Sequence, residues 1–225
     1  MTLAHDALLL AHKDLRIELR SRAGLAATMT LGACALVVVG LAAGPDMAQL
    51  RNLAPALTVI ALLFAALVMA ERLDAIDRDH EALVGLWLAL PDKRAIYLGK
   101  ALAMTVLLSA LGLVLWLLSF VLLDVRANVS LLGILPFVLL SSCSTASATA
   151  LVVAIVGAGE RRDLLLPVLL MPMLVPTLLA TVNGSRALMA SDAVTAAGWL
   201  VILAAEAALF IGLGLLSYEV VGAPE

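Results

Sequence analysis

The stretch ALAMTVLLSALGLVLWLLSFVLL, Ala101 to Leu123, decides the fold. It carries no charge across its whole length. A helix rises about 1.5 Å per residue and the hydrocarbon core of a bilayer is about 30 Å thick, so roughly 20 apolar residues cross it once. The run lacks the period-2 alternation of a barrel strand, so its backbone must satisfy itself as a helix. Outward in both directions the pattern repeats: Ala23 to Pro45, Asn52 to Ala70, Ala127 to Gly159, Leu164 to Ser185, and Ala193 to Val221, the last interrupted only by Glu206 and Glu219. Each is long enough for one crossing and none requires two. The fourth is too long for a perpendicular span and contains Pro136, which predicts a kink or a short interfacial piece there.

Composition agrees. Of 225 residues, 64% are hydrophobic and only 14% charged, with a mean hydropathy of +1.11. Soluble domains average roughly 45–50% apolar and about 25% charged, so lipid must solvate most of this chain. The expected fold is all-α: one polytopic membrane domain, residues 1–225, with six transmembrane helices. The formal charge of −3 argues against a nucleic-acid partner. Cys34 and Cys143 both lie in apolar runs and read as buried small hydrophobes rather than a disulfide. The apolar patch Leu8–Ala11 is interrupted at once by Lys13, Asp14 and Arg16, so this stretch is not expected to act as a cleavable signal peptide.

The basic residues fix the expected orientation. Lys13, Arg16, Arg20 and Arg22 precede the first stretch; Arg72, Arg78, Lys93, Arg94 and Lys100 lie between the second and third; Arg161 and Arg162 lie between the fourth and fifth. The opposite side carries only Arg51, Arg126 and Arg186. The positive-inside rule then predicts a multi-pass protein with both termini in the cytoplasm.

Two cytoplasmic segments stand out. In the arm, residues 1–22, Leu8, Ala11, Leu15 and Leu19 recur at helical spacing with Lys13, Arg16 and Arg20 largely opposite, which predicts an amphipathic helix in the membrane interface. His5 and His12 share a face and read as solvated interfacial histidines. The loop spanning 71–97 is too long for a turn and too polar to insert. Leu83, Leu86, Trp87 and Leu90 form an apolar stripe that Pro91 stops, and Asp92, Lys93 and Arg94 follow. This short helix either lies on lipid or seats, as a coupling helix, in a groove of a soluble partner. Coupling candidates are Glu71, Arg72, Leu83, Leu86, Trp87, Leu90, Lys93, Arg94 and Lys100; Glu71 and Arg72 also read as a boundary ion pair with a snorkelling arginine.

The run LALPDKRAIYLGKAL, Leu88 to Leu102, resembles the cytoplasmic segment of the haem-exporter permease family, cytochrome c maturation protein B. ERRDLLLPVLLMPMLVPTLLA, Glu160 to Ala180, is similar to the same family, as is the closing run from Trp199 to Glu219. The order of features agrees over nearly the whole chain. The resemblance implies an ABC-exporter-type permease in the bacterial inner membrane, serving c-type cytochrome biogenesis. It implies as partners a CcmA-like ATPase subunit, CcmC- and CcmD-like membrane proteins and a periplasmic haem chaperone. It also implies a permease homodimer, or at least two ATPase subunits.

The chain itself carries no energy-transducing chemistry. Gly99-Lys100 lacks the earlier glycine of a phosphate-binding loop, since Arg94 stands there, so ATP would be bound and hydrolysed by the separate subunit. No paired carboxylates, Ser-His-Asp set or metal motif marks an enzyme or a resident cofactor. Pro172 and Pro176 stack on one face of the fifth stretch, as part of a kinked packed helix or of a flexing helix at the pathway or dimer interface. Ser142, Ala146, Ala150 and Ala154 form a ridge of small residues at which helices approach closely, within one subunit or between two. Glu206, deep in the sixth stretch, is a functional candidate or a hydrogen-bonded packing residue. Haem is cargo at most: all three histidines, His5, His12 and His80, map to the cytoplasmic side, which favours ATP-driven release of a loaded chaperone over haem passage. The alternatives are an ABC permease for a drug or lipid, or a non-transporting membrane scaffold.

Overall fold

The computed structural model describes residues 3–20, 22–42, 47–79, 85, 88, 90–122, 131–156 and 162–221. Among these, seven helices follow one another: α1 (Leu3–Arg20), α2 (Arg22–Ala42), α3 (Met47–Asp79), α4 (Arg94–Leu122), α5 (Leu131–Val156), α6 (Arg162–Met189) and α7 (Ala193–Val221). The all-helical reading holds. Five segments are long and apolar enough to cross a membrane: Asn52–Ala70 within α3, Arg94–Leu122, Leu132–Val156, Leu164–Met189 and Ala193–Tyr218. The first expected span forms α2, whose apolar part, Ala26–Ala42, is shorter than the other five. Leu132 to Val156 is one continuous helix through Pro136, with no separate interfacial piece among the described residues. Cys34 is exposed and Cys143 half-buried, and both are free thiols. Cys34 thus departs from the buried position expected of it, because it falls on the outer face of α2.

Helix α5 is the hub, packing against α3, α4, α6 and α7. Its small-residue ridge explains why: Ser142, Ala146 and Ala150 are buried, and Ala154 is half-buried against the core. The close approach they allow is therefore made within this chain. A second device fixes α4 to the bundle. The Tyr97 hydroxyl lies 2.9 Å from the Phe210 carbonyl on α7 and 3.2 Å from the Ser147 carbonyl on α5. Its ring occupies the space beside Gly214, where any Cβ would overlap it, and stacks at a tilt on Tyr218 with centroids 5.8 Å apart.

These contacts set the helix directions. The start of α4 meets the end of α7 through Tyr97, and it meets α1 through Gly99, where a Cβ would come within 2.6 Å of the Leu10 Cβ. The end of α3 joins them through an ion pair between Arg72 and Glu18. At the opposite end, Arg186 of α6 donates from Nε to the Asn52 carbonyl of α3 at 3.1 Å. α1 and α7 are thus both tied to the start of α4 at one end of the bundle.

The α6–α7 turn closes in three residues. The Asp192 amide bonds the Ala187 carbonyl and the Ser191 amide the Leu188 carbonyl, a Schellman closure with Ser191 left-handed at φ 61°. Asp192 then caps α7, its Oδ1 accepting from the Thr195 amide at 3.0 Å. Asp92 caps α4 in the same way through the Arg94 amide at 3.0 Å.

Tyr97→Phe is expected to lower stability in detergent by about 0.5–1.5 kcal/mol, the net value of a buried hydrogen bond, and Gly214→Ala by more, because the ring must move; thermal unfolding followed by a thiol-reactive dye checks both. Hydrogen bonds from the Thr195 side chain and amide hold the Asp192 carboxyl below its ordinary range. Its contribution is therefore complete above the unfolded carboxyl value and lost as pH falls through the folded one. Melting curves over an acid series should show Asp192→Asn losing part of that acid sensitivity.

Candidate coupling end and intramembrane polar seam

The loop predicted over 71–97 is partly helix. α3 runs on past Ala70 to Asp79, and α4 already begins at Arg94, so Arg72 and Lys100 sit on helices rather than in a loop. Gly85 and Leu88 are helical and exposed, Leu88 at 85%. Leu83, Leu86 and Trp87 lie outside the described residues, as does the Glu71 side chain. Leu90 is half-buried against the main core, so at least the end of the apolar stripe packs inward. Lys93 folds back and donates from Nζ to the Leu90 carbonyl. Arg94 occupies the first turn of α4 beneath the Asp92 cap. Arg72, Lys93, Arg94 and Lys100 thus share one end of the bundle with α1.

α1 splits its sequence stripe: Ala11 is buried and Leu15 packs against the core, whereas Leu8 and Leu19 face outward. Its buried face is Asp6, Ala7, Ala11, Asp14 and Glu18. Leu8 and Leu19 are exposed, beside Arg16 and Arg20. The inner face is selected by size and charge rather than by hydropathy. Ala7 and Ala11 are small enough to pass Gly99, and Glu18 reaches Arg72 at 3.5 Å. A buried carboxylate is costly unless paired, so the basic end of the bundle holds α1 in this rotation. Asp14 also meets Lys13 at 3.1 Å. The signal was present as the four-residue period of Asp6, Leu10, Asp14 and Glu18, which the leucine spacing masked.

A polar seam runs through the middle of the bundle. On α5, Ser141, Ser142, Ser144, Thr145, Ser147 and Thr149 are all buried. Most hydroxyls return to the preceding turn: Thr149 to Thr145 at 2.7 Å, Ser147 to Cys143 at 2.7 Å, and Thr181 of α6 to Thr177 at 2.7 Å. Ser144 and Thr177 link α5 to α6 directly at 3.0 Å. Glu206 of α7 lies beside Thr177, yet neither of its carboxylate oxygens is placed in hydrogen-bonding geometry. Ser142, Ser109 and Ser185 hydroxyls share that condition. The structure thus brings Glu206 to the Ser144–Thr177 pair, and it brings Ser142, Ala146 and Ala150 to the core. It does not bring Pro172 and Pro176 inward. Both are exposed, on a face of α6 with Val168, Val175 and Leu179. Tyr97 was missed by sequence reading, because an aromatic at a span boundary signals an interface anchor as readily as an interior bolt.

A bundle of apolar helices with a polar seam, a charged end and small-residue crossings is common to many transporters. The family model for CcmB protein matches residues 5–218, from α1 through α7. The chain belongs to the CcmB family. It is 29% identical over 187 residues to Heme exporter protein B of Bradyrhizobium diazoefficiens, a match covering 79% of this chain and 80% of that one. The resemblance read from Leu88–Leu102 and Glu160–Ala180 is borne out. This CcmB-family chain is a multi-pass membrane protein of haem transport in c-type cytochrome biogenesis.

Breaking the Glu18–Arg72 pair tests how α1 is held. Arg72→Ala should cost about 2 kcal/mol, between the limits for exposed and buried pairs, because it strands the Glu18 carboxylate. Combining Arg72→Met with Glu18→Gln should recover part of that loss, which a double-mutant cycle on thermal unfolding measures.

Proposed function

We propose that this chain is the permease subunit of a haem-exporter ABC complex and that its basic end receives a separate ATPase subunit. The observation that carries this reading is the convergence of α1, the end of α3 and the start of α4 on one end of the bundle. That end bears Arg72, Lys93, Arg94 and Lys100, together with the exposed Leu88. Apolar side chains among cations suit a groove with an acidic rim. The positive-inside rule makes this end cytoplasmic, and with α2 as a sixth span both termini lie there, in the inner membrane. α1 then lies in the interface. Rearrangement driven by the partner's ATP hydrolysis would reach α7 through Tyr97, which ties the start of α4 to the Phe210 carbonyl. CcmC- and CcmD-like proteins and a periplasmic haem chaperone complete the assembly, in which ATP serves haem export or release of the loaded chaperone.

The outer face of α6 favours a permease homodimer. Proline has no amide hydrogen, so Pro172 and Pro176 leave the carbonyls of Val168 and Pro172 without their helical donors. Those residues are exposed. Hydrocarbon supplies no replacement donor, whereas a second subunit does.

Affinity purification of the tagged chain from gently solubilised membranes tests the reading, with Leu88→Asp in parallel. An ATPase subunit that copurifies with the native chain and is lost from the variant supports it. An ATPase absent from both preparations contradicts it.

A further inference from the structure

We propose that the outer face of α1 is a binding surface for anionic phospholipid headgroups. All three carboxylates of the helix, Asp6, Asp14 and Glu18, are buried on its inner face. The outer face is left with Arg16 and Arg20 and no acid, and between them and beyond them stand Leu8, Leu9 and Leu19, each more than half exposed. An amphipathic helix of ordinary design shows its leucines to the protein and its mixed charges to water. This helix packs Leu10 and Leu15 on the core but leaves Leu8, Leu9 and Leu19 outside with the arginines, because the Glu18–Arg72 pair and the Ala7–Ala11 crossing at Gly99 fix its rotation. Leucines flanked by cations match the boundary between acyl chains and negatively charged headgroups. Anionic lipids attract juxtamembrane basic segments on the cytoplasmic leaflet. A protein groove could accept the leucines, but the absence of any outward carboxylate on α1 favours a uniformly negative surface over the mixed charge of a protein rim. The proposal rests on the reading that this end of the bundle is cytoplasmic and α1 interfacial; it adds which lipid the face selects and why the helix is turned as it is.

The test uses the full chain with Cys34→Ser and Cys143→Ser, carrying a nitroxide at Leu8→Cys or Leu19→Cys, in nanodiscs of phosphatidylcholine alone or with phosphatidylglycerol. Power saturation compares collision with oxygen, which partitions into lipid, and with a water-soluble nickel complex. The expected result is a shift towards oxygen at both sites when phosphatidylglycerol is present. Arg16→Glu with Arg20→Glu should lose that shift while the melting temperature stays near that of the parent. Equal ratios in the two lipid compositions would overturn the proposal. So would a shift that appears only on adding the ATPase subunit, or only in discs holding two copies of the chain. Loss of ATPase copurification with the lipid shift intact would remove the coupling reading and leave this one standing.

Discussion

Hydrocarbon offers no hydrogen-bond partner, and the interior of the bundle is built around that constraint. It forces the apolar stretches into helices. It sends the α5 hydroxyls back to the preceding turn, and it makes the few groups that cross between helices the points that define the bundle. Ser144 to Thr177 and Tyr97 to the Ser147 and Phe210 carbonyls are such points. With no hydrophobic drive between helices in lipid, close packing must supply the remainder, which is why α5 carries a ridge of small residues at its centre.

At the membrane boundary the constraint changes sign, because charges can be paired and hydrated there. α1 illustrates the change. Its acidic face turns towards the basic end of the bundle, and the Glu18–Arg72 pair outweighs the tendency of leucines to be covered. The result couples the start of the chain to the end of α3 and the start of α4, the elements flanking the segment from 80 to 93. The start of α4 is thereby tied to α1 on one side and, through Tyr97, to α7 on the other.

Much of this was legible in the sequence. Charge-free stretches such as Ala101–Leu123 declare themselves because membrane insertion is decided by local composition, and the family resemblance in Leu88–Leu102 held over residues 5–218. The Ser142–Ala150 ridge was read as a close-packing face, although sequence could not say that its partners lie in the same chain. What escaped was every feature set by rotation. A helical stripe states which residues share a face but not which face is buried. Hence Asp6, Asp14 and Glu18 turn inward on α1, Pro172 and Pro176 line the outside of α6, and Cys34 faces out of α2. Tyr97 escaped because its partners are backbone carbonyls 50 and 113 residues away, which no local pattern encodes.

The arrangement stands or falls on which end of the bundle faces the cytoplasm. A membrane-impermeant maleimide applied to intact spheroplasts decides it, using single cysteines at Ser191→Cys in the α6–α7 turn and Leu88→Cys at the basic end. Ser191→Cys should react in intact spheroplasts and Leu88→Cys only after permeabilisation. The reverse pattern, or reaction of both from outside, would contradict a cytoplasmic basic end and with it the seat assigned to the ATPase.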